Sequence, residues 1–178
     1  MTPDENGTFP AALTAVAAVA FDHAGGEGVD YEPFNAFVPA EETTHWLRVW
    51  TGNRELDGAA FKVFGQDGTG GHVAFWQVRP GRPVAEQPVV FLGSEGELGV
   101  LAGDLAGYLW LLAEGFGPYE ATAFPQRPVR PSPELTAIAE RYAPGRRRPA
   151  AEVIATARRE FPDFASIVLA LCRLADEY

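Results

Sequence analysis

The sequence predicts an α+β fold, a mostly antiparallel sheet of about four to six strands with helices packed on one side, plus a C-terminal helical extension. Three observations predict it. Between Ala59 and Leu101, short apolar runs alternate with Gly- and Pro-rich turns, the pattern of an antiparallel meander. Leu105, Tyr108, Leu109 and Leu112 then fall at i, i+3, i+4 and i+7, the stripe of a core-facing helix. After Pro131 the apolar residues recur at helical spacing. With 178 residues and 47% apolar content, the chain is long enough to bury a core without metals or disulfides.

Taken in order, residues 1–8 read as disordered. Pro10 to His23 carries Leu13, Val16, Val19 and Ala20 at helical spacing and reads as one amphipathic helix stopped by Gly25-Gly26. Residues 24–40 read as an ordered loop. Glu41 to Trp50 reads as a second helix, with Trp46, Val49 and Trp50 at i, i+3 and i+4 and Gly52 as its end. Ala59 to Phe64, His72 to Val78, Pro88 to Leu92 and Leu98 to Leu101 read as strands. The turns between them are Gly65 to Gly71, Arg79 to Pro83 and Gly93 to Glu97. Asp104 stands where an N-cap belongs and Gly115 where a C-cap glycine belongs. Gly117 to Pro133, with five prolines, reads as an extended linker. Ser132-Pro133 opens a helix through Tyr142, and Pro149 to Phe161 and Asp163 to Tyr178 read as two more.

Charge is uneven along the chain. Residues 1–130 hold 17 acidic and 7 basic side chains, a net of −10, while residues 131–178 hold seven of each. The acidity argues against nucleic acid or an anionic membrane as direct partner and suits a basic protein. Ala11 to Phe21 is too short to span a bilayer, and the acidic start is unlike a secretory signal, so the expected compartment is the cytoplasm. The single cysteine, Cys172, sits in an apolar run and reads as a buried, inert thiol. The three histidines, His23, His45 and His72, are far apart in sequence and show no ligand spacing, so neither a metal nor a cofactor is expected.

Several stretches invite chemistry. Gly65 to Gly71 could cradle a phosphate, but no Lys follows and the next element reads as a strand. Hairpin geometry, with Asp67-Gly68 at positive φ, explains it better. Glu95 and Glu97 flank Gly96, with Asp104 nearby, and could act as general acid and base. No neighbour in the sequence would raise either carboxyl, so an acidic contact patch is the stronger reading. Gly93-Ser94-Glu95-Gly96 is not a nucleophile elbow, and Thr69 has no partner base. Arg146-Arg147-Arg148 with Arg158 and Arg159 is diluted by Glu140, Glu152 and Glu160, and reads as a solvated face or a contact with the acidic body. Of the four tryptophans, Trp76 beside a Pro-rich turn is the one expected to be partly exposed, and Trp is enriched at binding hot spots.

The run Phe64-Gly65-Gln66-Asp67-Gly68-Thr69-Gly70-Gly71-His72-Val73-Ala74-Phe75-Trp76 resembles the SUKH superfamily, in particular its Smi/Knr-type branch. Pro88 to Glu97 and the helix over Ala102 to Ala113 continue the likeness, which covers about fifty residues. The resemblance implies a SUKH-like α+β domain, placed over residues 1–130; the helices of residues 131–178 lie outside the likeness and read as a helical C-terminal extension. It also implies a non-enzymatic binding protein of the bacterial immunity type, neutralising a toxin such as a nuclease or deaminase. A regulatory or scaffold protein without a toxin is the alternative, and an enzyme using Glu95 and Glu97 is a weaker one. The residues expected to meet the partner are Asp67, Trp76, Glu95 and Glu97.

Overall fold

The computed structural model describes residues 7–172. Their centre is one five-stranded antiparallel sheet in the order β1 (Glu32–Pro33), β2 (Phe61–Gln66), β3 (His72–Trp76), β4 (Val89–Leu92) and β5 (Leu98–Ala102). Strand order follows chain order: β2 to β5 are the meander that the spacing of the Gly-rich turns predicts. Strand β1, within residues 24–40 read as a loop, adds an edge strand that a helix over Ala40–Thr51 separates in sequence from β2. The α+β class is therefore as expected, and the C-terminal helices are present.

Seven α-helices surround the sheet among the described residues: α1 (Ala11–Ala17), α2 (Ala40–Thr51), α3 (Leu105–Ala113), α4 (Pro118–Ala123), α5 (Pro133–Tyr142), α6 (Ala150–Glu160) and α7 (Phe164–Leu171). Strand alternation splits their packing between two faces. One face presents Phe64, Val73, Phe75, Val89, Phe91 and Leu101 to α1, α3, α4 and α5. This is the helical side expected from the sequence. The other face presents Phe61, Val63, Ala74, Trp76, Val90, Leu92 and Val100, and a second, thinner layer made by α2 and α7 covers it. Helix α6 lies along β5 and joins the layers: Val153 and Ile154 pack on the α3 side and Ala157 on the other.

Local signals account for several helix ends. Asp104 Oδ1 accepts from the Gly107 N–H at 2.8 Å, and Ser132 Oγ from the Leu135 N–H at 3.3 Å, both N-caps as read. Gly52 and Gly115 close α2 and α3 at φ 70° and 88°, a region that only glycine enters without strain.

Three expectations are corrected. The first helix is α1 alone and not Pro10 to His23: the chain leaves it after Ala17 so that Phe21 can pack edge-on against Tyr31, with ring centroids 5.0 Å apart. The linker over Gly117 to Pro133 contains α4, because Pro118 occupies the first turn, where a proline starts a helix. The tail, read as an appendage, is built into the core through Leu135, Ala139, Val153 and Ile154 on one face and Phe164 and Val168 on the other. The disorder expected for residues 1–8 lies almost wholly outside the described residues. So does the last helix beyond Cys172, which itself has an extended backbone and ends α7.

Candidate functional site

In an antiparallel meander the β2–β3 and β4–β5 turns emerge at the same end of the sheet, and here they touch. Ser94 Oγ and Thr69 Oγ1 are hydrogen-bonded at 2.9 Å. Gly71 allows the approach, since a side chain there would collide with the Phe91 ring and the Gly93 backbone. Asp67 builds the first turn: its Oδ1 accepts from the Thr69 N–H at 3.0 Å, the Thr69 hydroxyl at 2.8 Å and the Gly71 N–H at 2.8 Å. With the side chain holding the loop in this way, the positive φ falls on Gly70, at 91°, and not on Asp67-Gly68 as expected.

Helix α2 docks against this end through its aromatic residues. The Trp50 indole N–H donates to the Gly93 carbonyl at 2.9 Å, fastening the helix to the β4–β5 turn. Trp46 stacks on Trp50 with centroids 5.8 Å apart and lies over the His72 ring at 4.1 Å. Beside them opens a groove of about 500 Å³, walled by Phe34, Val38, Trp46 and His72 and rimmed by Glu41, Glu42 and His45. Trp46 and Trp50 are half-buried, and Val49 between them is 69% exposed. An apolar body with one open side is the form that interface anchors take.

The electrostatics of this end are one-sided. The ion pairs among the described residues use Glu160, Glu86, Glu27, Asp104 and Glu152. None reaches Glu41, Glu42, Glu95 or Glu97. No Lys or Arg lines the groove. Burial pushes the His72 ring below its ordinary pKa, against the pull of the Asp67 carboxylate, so the ring is neutral at neutral pH and offsets none of the negative charge.

The residues expected to meet a partner divide three to one. Asp67, Glu95 and Glu97 come together at the turn end. Asp67 is 1% exposed and serves its own loop. Glu97 folds back over Gly93 and accepts from the Glu95 N–H at 3.2 Å, which leaves Glu95 as the exposed carboxylate of the turn. Neither lines the groove. Trp76 is the exception, and its expected exposure is corrected. It lies at the far end of β3, 8% exposed, beneath Phe161 and Phe164 with centroids 5.7 and 5.1 Å away. The cover comes from α6 and α7, which the sequence reading left detached.

Sequence reasoning missed Trp46, His72, Glu41 and Glu42 as site residues. A signal was present: Glu42 and Trp46 stand at i and i+4, one face of α2, but Trp46 was assigned to the core.

Elsewhere the basic cluster is engaged internally. Arg146 pairs with Asp104 at 2.7 Å, Arg148 with Glu152 at 3.2 Å, and Arg147 lies over the Trp110 ring at 5.3 Å. The basic cluster thus makes the intramolecular contacts expected of it. Cys172, expected to be buried, is only partly so; burial still raises its thiol above the usual value. Inside the core, the Glu120 carboxylate is 4% exposed and accepts from the Asp30 N–H at 2.9 Å, while its other oxygen is enclosed without a partner and the buried hydroxyls of Tyr31 and Tyr108 face each other. Burial raises Glu120, and the Asp30 N–H and the Arg127 charge partly oppose it. Among the described residues, no helix is long and apolar enough to cross a membrane. No family model matches the chain, and no curated protein or solved structure matches it.

Proposed function

We propose that this protein is a non-enzymatic binding module of the immunity type, acting in the cytoplasm, whose α2 groove and adjoining acidic turn dock a basic toxin domain such as a nuclease or deaminase. The observation that carries this reading is the convergence, at one end of the sheet, of half-buried indoles with carboxylates that form no ion pair among the described residues. The likeness of Phe64 to Trp76 to the SUKH superfamily supports it, as does the net charge of −10 over residues 1–130. Each feature has a physical task. Unpaired carboxylates raise the rate of encounter with a basic surface, and the indoles slow dissociation once water is excluded. Glu95 sits exposed on an open turn and Glu97 folds back over Gly93, an arrangement that favours contact over chemistry.

Co-expression with whatever basic toxin domain is found encoded beside the gene tests the proposal. The intact protein is expected to restore growth, and Trp46→Leu combined with Glu41→Gln and Glu42→Gln to restore at most about a tenth as much, following the weight of aromatic hot spots. Equal protection by the triple variant, or a gene with no toxin beside it, overturns the reading. A second reading, a regulatory or scaffold protein, is favoured by α7, whose Ile167 and Leu169 are 45% and 59% exposed. In that case the partner would be held by the C-terminal helix and would be indifferent to the groove.

A further inference from the structure

The groove at α2 is more selective than a generally acidic surface. Glu42 precedes Trp46 by one helical turn, and Glu41 precedes His45 by one, so both carboxylates stand on the helix face that lines the groove. Trp46 supplies an aromatic surface, backed by its stacking on Trp50 and its contact with His72. Phe34 and Val38 complete an apolar wall. Two carboxylates therefore rim a groove walled by the Trp46 indole, and no cation among the described residues lines it.

We propose that this groove takes an arginine side chain of the partner, its guanidinium against Trp46 and paired with Glu41 and Glu42. The inference rests on the docking reading and names the chemistry that the dock recognises. A planar, weakly hydrated cation can stack on an indole and offer parallel N–H donors to carboxylates at once, whereas an ammonium is a compact, strongly hydrated charge. The opposing effect is small by comparison. The N-terminus of α2 carries roughly half a positive charge, against two full negative charges on Glu41 and Glu42. Neutral His72 adds no repulsion. A volume of about 500 Å³ exceeds what one side chain fills, so the backbone flanking the arginine enters as well.

The test uses the full chain and three small probes: N-acetyl-arginine methylamide, its lysine counterpart and its neutral citrulline isostere. NMR follows the four tryptophan indole N–H resonances, with the buried Trp76 and Trp110 as internal controls. The arginine probe is expected to shift the Trp46 and Trp50 signals saturably with a Kd in the millimolar range, as fits a single side chain. Citrulline should bind at least about tenfold more weakly, lysine about threefold, and Glu41→Gln with Glu42→Gln should weaken arginine about fivefold. Both glutamates are exposed, so this variant leaves the fold intact. No saturable shift up to about 50 mM, equal shifts with citrulline, or undiminished binding in the double variant overturns the proposal. If the arginine probe fails while groove variants still abolish protection in cells, the guanidinium assignment falls and the docking reading stands. If the probe binds while groove variants protect fully, the docking reading falls and the cation site stands.

Discussion

Asp67 and Glu120 show how differently two buried carboxylates can be held. Asp67 accepts three hydrogen bonds from its own turn through one oxygen, which fixes the hairpin and removes the residue from any contact role. Glu120 receives one hydrogen bond and is otherwise enclosed, so burial favours its protonated form. Because its folded pKa is raised, its contribution to stability is complete below the unfolded carboxylate value of about 4.5 and is lost as pH rises through the folded value. At neutral pH the charge is a burden on the fold. Glu120→Gln is therefore expected to raise the urea midpoint at pH 7 and to leave it unchanged near pH 4. A single group supports a slope no steeper than about 1.4 kcal/mol per pH unit. A loss of stability at pH 7 would show that the carboxylate has a partner absent from this account. Neither role was legible in the sequence. An Asp-Gly pair announces a turn, but only the fold reveals which backbone groups its side chain reaches, and Glu120 lay in a stretch read as linker.

At the scale of elements, the best-read parts are those whose signals are local. Helix α3 was legible from its stripe, its Asp104 cap and its Gly115 end, all within a dozen residues. The meander was legible because Gly-rich turns punctuate it. The errors arose where distant contacts decide. Trp76 looked open because nothing near it in sequence covers it, yet Phe161 and Phe164 fold over it from α6 and α7. The same contacts make the C-terminal helices necessary to the core. Leu135, Val153, Ile154, Phe164 and Val168 are each under 8% exposed. At about 1.5–3 kcal/mol for each large apolar side chain, their burial sums to on the order of 10 kcal/mol, comparable with the whole stability of a domain. Deleting residues 131–178 is thus expected to give a chain without cooperative urea unfolding or near-ultraviolet circular dichroism. A sharp transition in the truncated protein would mean that the tail is dispensable.

Across the whole molecule, charge is sorted by position. Two ion pairs join the C-terminal part to the far end of the sheet: Arg146, in the loop before α6, holds Asp104, and Glu160 on α6 holds Arg79. Carboxylates at the opposite end, on the α2 rim and the β4–β5 turn, form no ion pair among the described residues. The sequence showed the net −10 of its first part but not this sorting, because the contact that assembles the site joins Trp50 to Gly93, 43 residues apart. The central claim is tested most directly by association kinetics with whatever basic toxin-like domain is found encoded beside the gene. Surface plasmon resonance should show the on-rate falling about tenfold or more between about 50 and about 300 mM salt, and about threefold or more in Glu41→Gln with Glu42→Gln. Trp46→Leu should chiefly raise the off-rate, by about tenfold or more. Rates indifferent to salt and unchanged in both variants would contradict the account, and would move the binding surface away from the α2 end of the sheet.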